Sequence, residues 1–193
     1  MRTNLLLAPC VAALLATAAC GSDNPDGATE ASSTTTAGST AVAGSGNAIT
    51  VTAVDYRFEG LPAEVAAGSR ITLHNGSGKE VHEFIAYRLP DDEERTVQEL
   101  IALPEDEFGA LLAGPPPVGL MALPGEDGEI VAGVDTLAEP GRYLVFCAIP
   151  LGATASDVQA AMSAAQETDG PPPEIPGGAP HFSAGMVAEV RVK

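Results

Sequence analysis

Apolar and polar residues alternate along several short segments of this chain, which is the pattern of β-strands with one buried face. The first segment starts near Asn47, where apolar residues alternate with Thr50 and Thr52. At Val54 the alternation shifts by one residue, which predicts a bulge or kink. The same criterion predicts further strands over 64–75, 81–89, 128–137, 141–147 and 186–193.

The phase of each strand predicts which side chains point inward. His82 shares a face with Phe84, and Met186 begins the inward face of the last strand. Cys147 ends a strand that is apolar on both faces, which predicts an interior strand. His74 lies on a polar face and is expected at the surface.

Two longer segments interrupt the strands. Residues 90–128 contain two predicted short helices, at 96–103 and 104–112. Residues 151–179 contain a predicted helix that begins at Ser156 and ends in a Pro/Gly-rich return. Both segments are interpreted as excursions from the sheets.

About seven short strands with few helices predict an all-β domain over residues 47–193, a Greek-key β-sandwich or barrel with short helical insertions. The chain has 193 residues, enough for one domain with a sizeable core. Since only 4% of the residues are aromatic, valine, isoleucine, leucine and alanine must form most of that core.

The first 46 residues have a different composition. A basic residue, the apolar run 5–16 and small residues before Cys20 predict a lipoprotein signal peptide over 1–19, with Cys20 as the lipidated N-terminus. The alternative is ordinary signal cleavage that leaves Cys20 unmodified and the protein secreted. Residues 20–46 are rich in Gly, Ser, Thr and Ala and predict a flexible tether. Either route places the domain outside the cytoplasm.

The formal charge of −17 restricts the classes of partner. Nucleic acids and anionic lipid surfaces are excluded because they carry the same sign of charge. Contact with a membrane is therefore expected only through a lipid on Cys20. The acidic surface favours solubility, and it also suits a basic partner.

Cysteine usage singles out one thiol. Cys10 leaves with the signal peptide and Cys20 is the lipidation site, so Cys147 is an unpaired thiol in an oxidising compartment. Such a thiol is either a buried inert side chain or a metal ligand. His82, His181 and Met186 add two imidazoles and a thioether, which with the thiolate form the donor set of a mononuclear blue-copper site.

The residues around Cys147 carry a family resemblance. Pro140–Pro150 reads Pro-Gly-Arg-Tyr-Leu-Val-Phe-Cys-Ala-Ile-Pro, and Pro180–Met186 reads Pro-His-Phe-Ser-Ala-Gly-Met. With an earlier His82 after a strand start, the order resembles that of cupredoxins of the plastocyanin and pseudoazurin kind over residues 47–193. The resemblance implies one type 1 copper ion, with His82, Cys147 and His181 equatorial and Met186 axial.

Two departures from the family pattern stand out. Cys147 and His181 are separated by 33 residues (148–180), where the family has two to five, which indicates an insertion into the ligand loop. His82 is followed by Glu83 rather than by the asparagine with which many members connect the two ligand loops. A different bond is therefore needed to orient the ligands.

The leading hypothesis is a monomeric, membrane-tethered copper protein that passes single electrons between extracytoplasmic redox partners and is not an enzyme. His181 is the expected electron exit, and 151–179 is the expected lid or docking element beside it. The alternatives are a copper chaperone or storage protein, and a metal-free cupredoxin-like interaction module. The three histidines of the chain are too few for a multicopper oxidase. An apolar strand is a poor setting for an activated Cys147 nucleophile.

Overall fold

The computed structural model describes residues 47–112, 114–168, 170 and 172–193. All of them belong to one compact unit. The expected signal peptide (1–19), the lipidation site at Cys20 and the tether (20–46) lie outside the described residues. Within the described ranges, no helix combines the length and the apolar character needed to cross a bilayer.

Strands dominate the described part of the chain, and the helices are short. The strands are β1 Ala48–Val54, β2 Arg57–Glu59, β3 Glu64–Val65, β4 Ser69–Asn75, β5 His82–Arg88, β6 Val118–Ala122, β7 Glu129–Gly133, β8 Thr136–Leu137, β9 Gly141–Phe146 and β10 Val187–Val192. The helices are α1 Val97–Ile101, α2 Glu105–Leu111, α3 Ala155–Thr168 and a 3₁₀ helix at His181–Ala184.

The strands form two sheets that pack face to face. One sheet has the order β2-β1-β4-β8 and the other β3-β10-β9-β5-β6-β7. Val51 and Leu73 from the first sheet join Phe84, Val145 and Val190 from the second in one buried cluster. The predicted all-β sandwich is confirmed, and aliphatic side chains fill most of its core.

The predicted bulge near Val54 was wrong. β1 and β2 form an antiparallel hairpin in which Val54 pairs with Arg57, so that Asp55 and Tyr56 make the turn. Tyr56 adopts a left-handed φ of 65°. The shift in alternation therefore marks a reversal of the chain, because the residues after the turn belong to the neighbouring strand.

The excursion predicted over 90–128 is shorter than expected, because Val118–Ala122 forms β6, a strand inside the larger sheet. β6 pairs with β5 and places Ala122 opposite His82. Four of its five residues are buried, so it shows no alternation to identify it. Helices α1 and α2 lie where predicted, and α1 begins with the expected capping box of Thr96 and Glu99.

These two helices cover the outer face of the larger sheet. Leu100 of α1 belongs to a second buried cluster with Leu144 and Phe146, and Phe108 of α2 packs against that cluster. The outer face of β9 is therefore buried as well, as its apolar sequence predicts.

The segment 151–179 begins and ends at one point of the fold. Pro150 and Pro180 form an isolated antiparallel bridge, and the Leu151 N–H donates to the Ala179 carbonyl oxygen at 3.0 Å. Within the segment, α3 packs Val158 into the main core. Its cap differs from the expected Ser156, since the Asp157 N–H donates to the Thr154 hydroxyl at 3.2 Å.

Candidate metal centre

Four candidate ligand residues lie at one end of the sandwich because four chain segments end there. His82 is the first residue of β5, and Cys147 directly follows β9. His181 starts the 3₁₀ helix, and Met186 directly precedes β10. All four residues are fully buried, at 0% exposure. The structure thus brings the predicted residues His82, Cys147 and His181 together, and backbone hydrogen bonds to Cys147 and His181 place Met186 next to them.

The donor atoms of three of these residues form a compact group. One ligand atom from each of His82, Cys147 and His181 lies within 4.8 Å of the others. The two Nδ1 atoms are 3.2 Å apart, and Cys147 Sγ lies 3.4 Å from His181 Nδ1. Two imidazole nitrogens and one sulfur converging in this way form a trigonal donor set for one metal ion.

The protonation of the group suits a metal as well. Burial lowers the pKa of His82 to about 4, and the neighbouring His181 lowers it further. Burial also lowers the pKa of His181, so both imidazoles are neutral at pH 7 and have lone pairs to donate. Burial raises the pKa of the Cys147 thiol. A metal bound here must therefore displace the thiol proton.

Backbone hydrogen bonds hold His181 beside Cys147 despite the long separation in sequence. The His181 N–H donates to the Ile149 carbonyl oxygen, and the Phe182 N–H donates to that of Cys147, each at 2.9 Å. The Met186 N–H donates to the His181 carbonyl oxygen at 3.1 Å. Together with the Pro150–Pro180 bridge, these bonds make the insertion a side loop that leaves the ligand loop intact.

Glu83 connects the segments that carry His82 and Cys147. Its backbone N–H donates to Cys147 Sγ at 3.3 Å, and its side-chain Oε1 accepts from the Ala148 N–H at 2.8 Å. Burial raises the pKa of the Glu83 carboxyl to about 7, although the Ala148 hydrogen bond acts in the opposite direction. Glu83 thus connects the two ligand segments, the role that an asparagine has in many cupredoxins.

Two further side chains cover His181, and sequence reasoning missed both. The Tyr56 ring meets the His181 ring edge-on, with centroids 4.9 Å apart. Glu80 Oε2 lies 3.5 Å from His181 Nε2 and accepts from the Gly152 N–H at 3.3 Å. Tyr56 was predicted as one more strand residue, and Glu80 lies between the predicted strands 64–75 and 81–89, so no local signal indicated either role.

His74 lies apart from this group, as its strand phase predicts. Its Nδ1 is 2.8 Å from Asp127 Oδ1, and its side chain is 44% exposed.

The β-sandwich agrees with the fold that the resemblance to cupredoxins implies, and the donor set of two histidines and a cysteine, beside a buried methionine, fits one type 1 copper ion. The sequence matches no protein-family model, and it matches none of the curated proteins.

Among solved structures, the chain is similar to three auracyanins, each aligned over 76% of this chain. The first is the dithionite-reduced auracyanin of the photosynthetic bacterium Roseiflexus castenholzii, with 18% identity, a TM-score of 0.39 and 97% of that chain covered. The second is auracyanin A, a "blue" copper protein of the green thermophilic photosynthetic bacterium Chloroflexus aurantiacus, with 17% identity, a TM-score of 0.39 and 98% covered. The third is auracyanin B, with 18% identity, a TM-score of 0.36 and 88% covered.

Proposed function

We propose that this protein is a type 1 copper protein that transfers single electrons between redox partners outside the cytoplasm. The observation that carries the proposal is the convergence of one donor atom each from His82, Cys147 and His181 within 4.8 Å, in a fully buried site. Bound copper would supply a one-electron couple, Cu(II)/Cu(I).

His82 Nδ1, Cys147 Sγ and His181 Nδ1 would hold the copper ion, and the Met186 thioether would supply a fourth, weaker donor. The protein contributes rigidity, because backbone hydrogen bonds fix His181 and Met186, and the Glu83 N–H orients the sulfur. Donors held in place in this way need little rearrangement when one electron is gained or lost.

Burial of the site favours electron transfer over copper delivery. A chaperone must expose its ligands to the protein that receives the metal. Here all four residues are 0% exposed, and the backbone bonds around His181 would have to break before copper could leave.

The decisive experiment is a copper titration of the purified metal-free protein. Addition of Cu(II) is expected to give an intense blue absorption from thiolate-to-copper charge transfer, and Cys147→Ser should abolish it. Met186→Leu should keep the band and raise the reduction potential, whereas the control Met162→Leu, in α3, should change neither. Copper uptake without the intense band, or a band that survives Cys147→Ser, would refute the proposal.

We propose further that residues 1–19 are a signal peptide, that Cys20 is lipidated and that 20–46 tether the monomeric domain 47–193 to a membrane. The support is the composition of these segments. Cys20→Ser should release the protein from the membrane fraction and remove the lipid mass, whereas Cys10→Ser should not. Membrane association that persists in Cys20→Ser would contradict the anchor.

A further inference from the structure

We propose that electrons enter and leave this protein across the surface that Tyr56 and Glu80 form over His181, and that the partner docking there carries positive charge. This inference rests on the proposed copper function and names the surface that serves it. One electron passes from a reduced partner to Cu(II), giving Cu(I), and one passes from Cu(I) to an oxidised partner.

The imidazole edge of His181 that carries Nε2 is shielded from solvent. Its side chain is 0% exposed, and within the described residues its Nε2 is buried without a hydrogen bond. This atom is the ring nitrogen that does not face the other donors, so it points away from the site. A partner cannot touch the imidazole, and the shortest way from His181 to solvent passes through whatever covers it.

Tyr56 forms one part of this cover. Its ring lies edge-on to His181, with centroids 4.9 Å apart, and its own backbone has a φ of 65°. Non-glycine residues avoid this conformation, which destabilises them by about 1–2 kcal/mol. A tyrosine held there, where glycine or asparagine fits more easily, indicates that the position of the ring matters.

Glu80 forms the other part of the cover. Its carboxylate lies 3.5 Å from His181 Nε2 and is held from the insertion by the Gly152 N–H at 3.3 Å. The Glu80 side chain is 20% exposed. It therefore connects the buried imidazole with the surface, and the insertion fixes its position.

A groove on the outer side of this cover shows what kind of partner fits. It has a volume of about 530 Å³ and is lined by Asp55, Tyr56, Ser77, Gly78, Lys79 and Glu80. Two carboxylates face one ammonium group there. The domain 47–193 carries 23 acidic residues (26 less the three in 1–46) and 8 basic residues (9 less one), a net charge of −15. Positive charge on the partner is the complement of this surface.

The first test uses the metal-free protein and asks only whether the cover exists. Diethyl pyrocarbonate modifies accessible imidazoles, and mass spectrometry locates the product. In the wild type, His74 should react and His181 should not. Tyr56→Ala and Glu80→Ala should each expose His181 while His82 stays protected, which shows that the fold persists. Modification of wild-type His181 at the rate of His74 would overturn the inference.

The second test measures oxidation of the Cu(I) protein by a cationic cobalt(III) phenanthroline complex and by anionic ferricyanide. Glu80→Gln should lower the ratio of the cationic to the anionic rate at least about threefold at low salt, the effect of one unit charge about 7 Å away in water. The ratio cancels any change in copper potential, because both reagents oxidise the same Cu(I). Glu139→Gln, an equal charge change at the other end of β9, should leave the ratio unchanged.

Variants of Tyr56 complete the second test. Tyr56→Phe keeps the ring and should keep both rates. Tyr56→Ala should raise both rates, because either reagent can then approach His181 more closely. If the blue copper site forms but the Glu80→Gln ratio and the Tyr56→Ala rates equal those of the wild type, the inference fails and the copper function stands. If no blue site forms, the failure lies with the proposed function.

Discussion

Replacing Glu83 with glutamine should make the stability of the metal-free protein less dependent on pH. The pKa of this carboxyl rises from 4.5 to about 7 on folding, because burial disfavours the charged form. A carboxyl whose pKa is raised in the folded state stabilises that state below the unfolded pKa. This stabilisation is lost as the pH rises through the folded pKa.

The size of the effect follows from the shift itself. A rise of about 2.5 units, from 4.5 to about 7, corresponds to about 3 kcal/mol at 1.36 kcal/mol per unit. Between pH 4.5 and 7 the wild type should therefore lose about 3 kcal/mol of unfolding free energy relative to Glu83→Gln. His82 acts with the opposite sign: its pKa falls to about 4, so its contribution is present above its unfolded pKa and is lost on acidification. That contribution is common to both proteins and cancels in the difference.

Urea unfolding of both proteins with a chelator present, at pH values from 4.5 to 8, measures this difference. Glu129→Gln is the matched control, because Glu129 is exposed on β7, and its curve should run parallel to that of the wild type. Glu83→Ala should be about 1–3 kcal/mol less stable than Glu83→Gln at every pH, since it leaves the Ala148 N–H without its acceptor. A difference between wild type and Glu83→Gln that stays constant with pH would refute the reasoning.

Three other changes test the fold. Phe84→Ala should lower the unfolding free energy by about 3–5 kcal/mol in urea, because the ring is fully buried in the core; a loss below about 1 kcal/mol would contradict that packing. Gly133→Ala should lower the melting temperature well below that of Gly125→Ala, because both have positive φ but only the Cβ at 133 meets the Pro117 carbonyl oxygen; equal melting temperatures would argue against this close approach. Arg142→Gln should speed hydrogen exchange over residues 91–96, because the guanidinium donates to the Glu93 and Arg95 carbonyl oxygens; unchanged exchange would show that other contacts hold the segment.

Strand faces were predictable where one face meets the core and the other does not. β4 and the start of β5 show the expected alternation, with His74 outward and His82 inward. β6 was missed because its partners on both faces come from distant parts of the chain, which leaves no alternation in its own sequence. The turn at Tyr56 was misread for a related reason, since a two-residue hairpin and a bulge both shift the alternation.

The candidate ligands were identifiable because their chemistry is rare in this chain and their order resembles that of a known family. The residues around them were not. Glu83 sits next to a ligand, but its connection to Ala148 exists only because β5 and β9 are neighbours. Tyr56 and Glu80 reach His181 from other loops. Such contacts depend on three-dimensional proximity, which residue spacing does not encode.

The bridge between Pro150 and Pro180 brings Cys147 and His181 together although they are far apart in the sequence. It therefore affects which sequence pattern identifies such a site. The number of residues between cysteine and histidine does not determine the metal site, because the segment between the two prolines is a loop whose ends are adjacent in the fold. Two short steps set the distance between the two ligands instead, from Cys147 to Pro150 and from Pro180 to His181. Loop closure depends only weakly on length, at about 0.6 kcal/mol per doubling. Evolution is therefore free to lengthen, shorten or exchange the intervening segment, and searches for related proteins should score the two steps and ignore the gap.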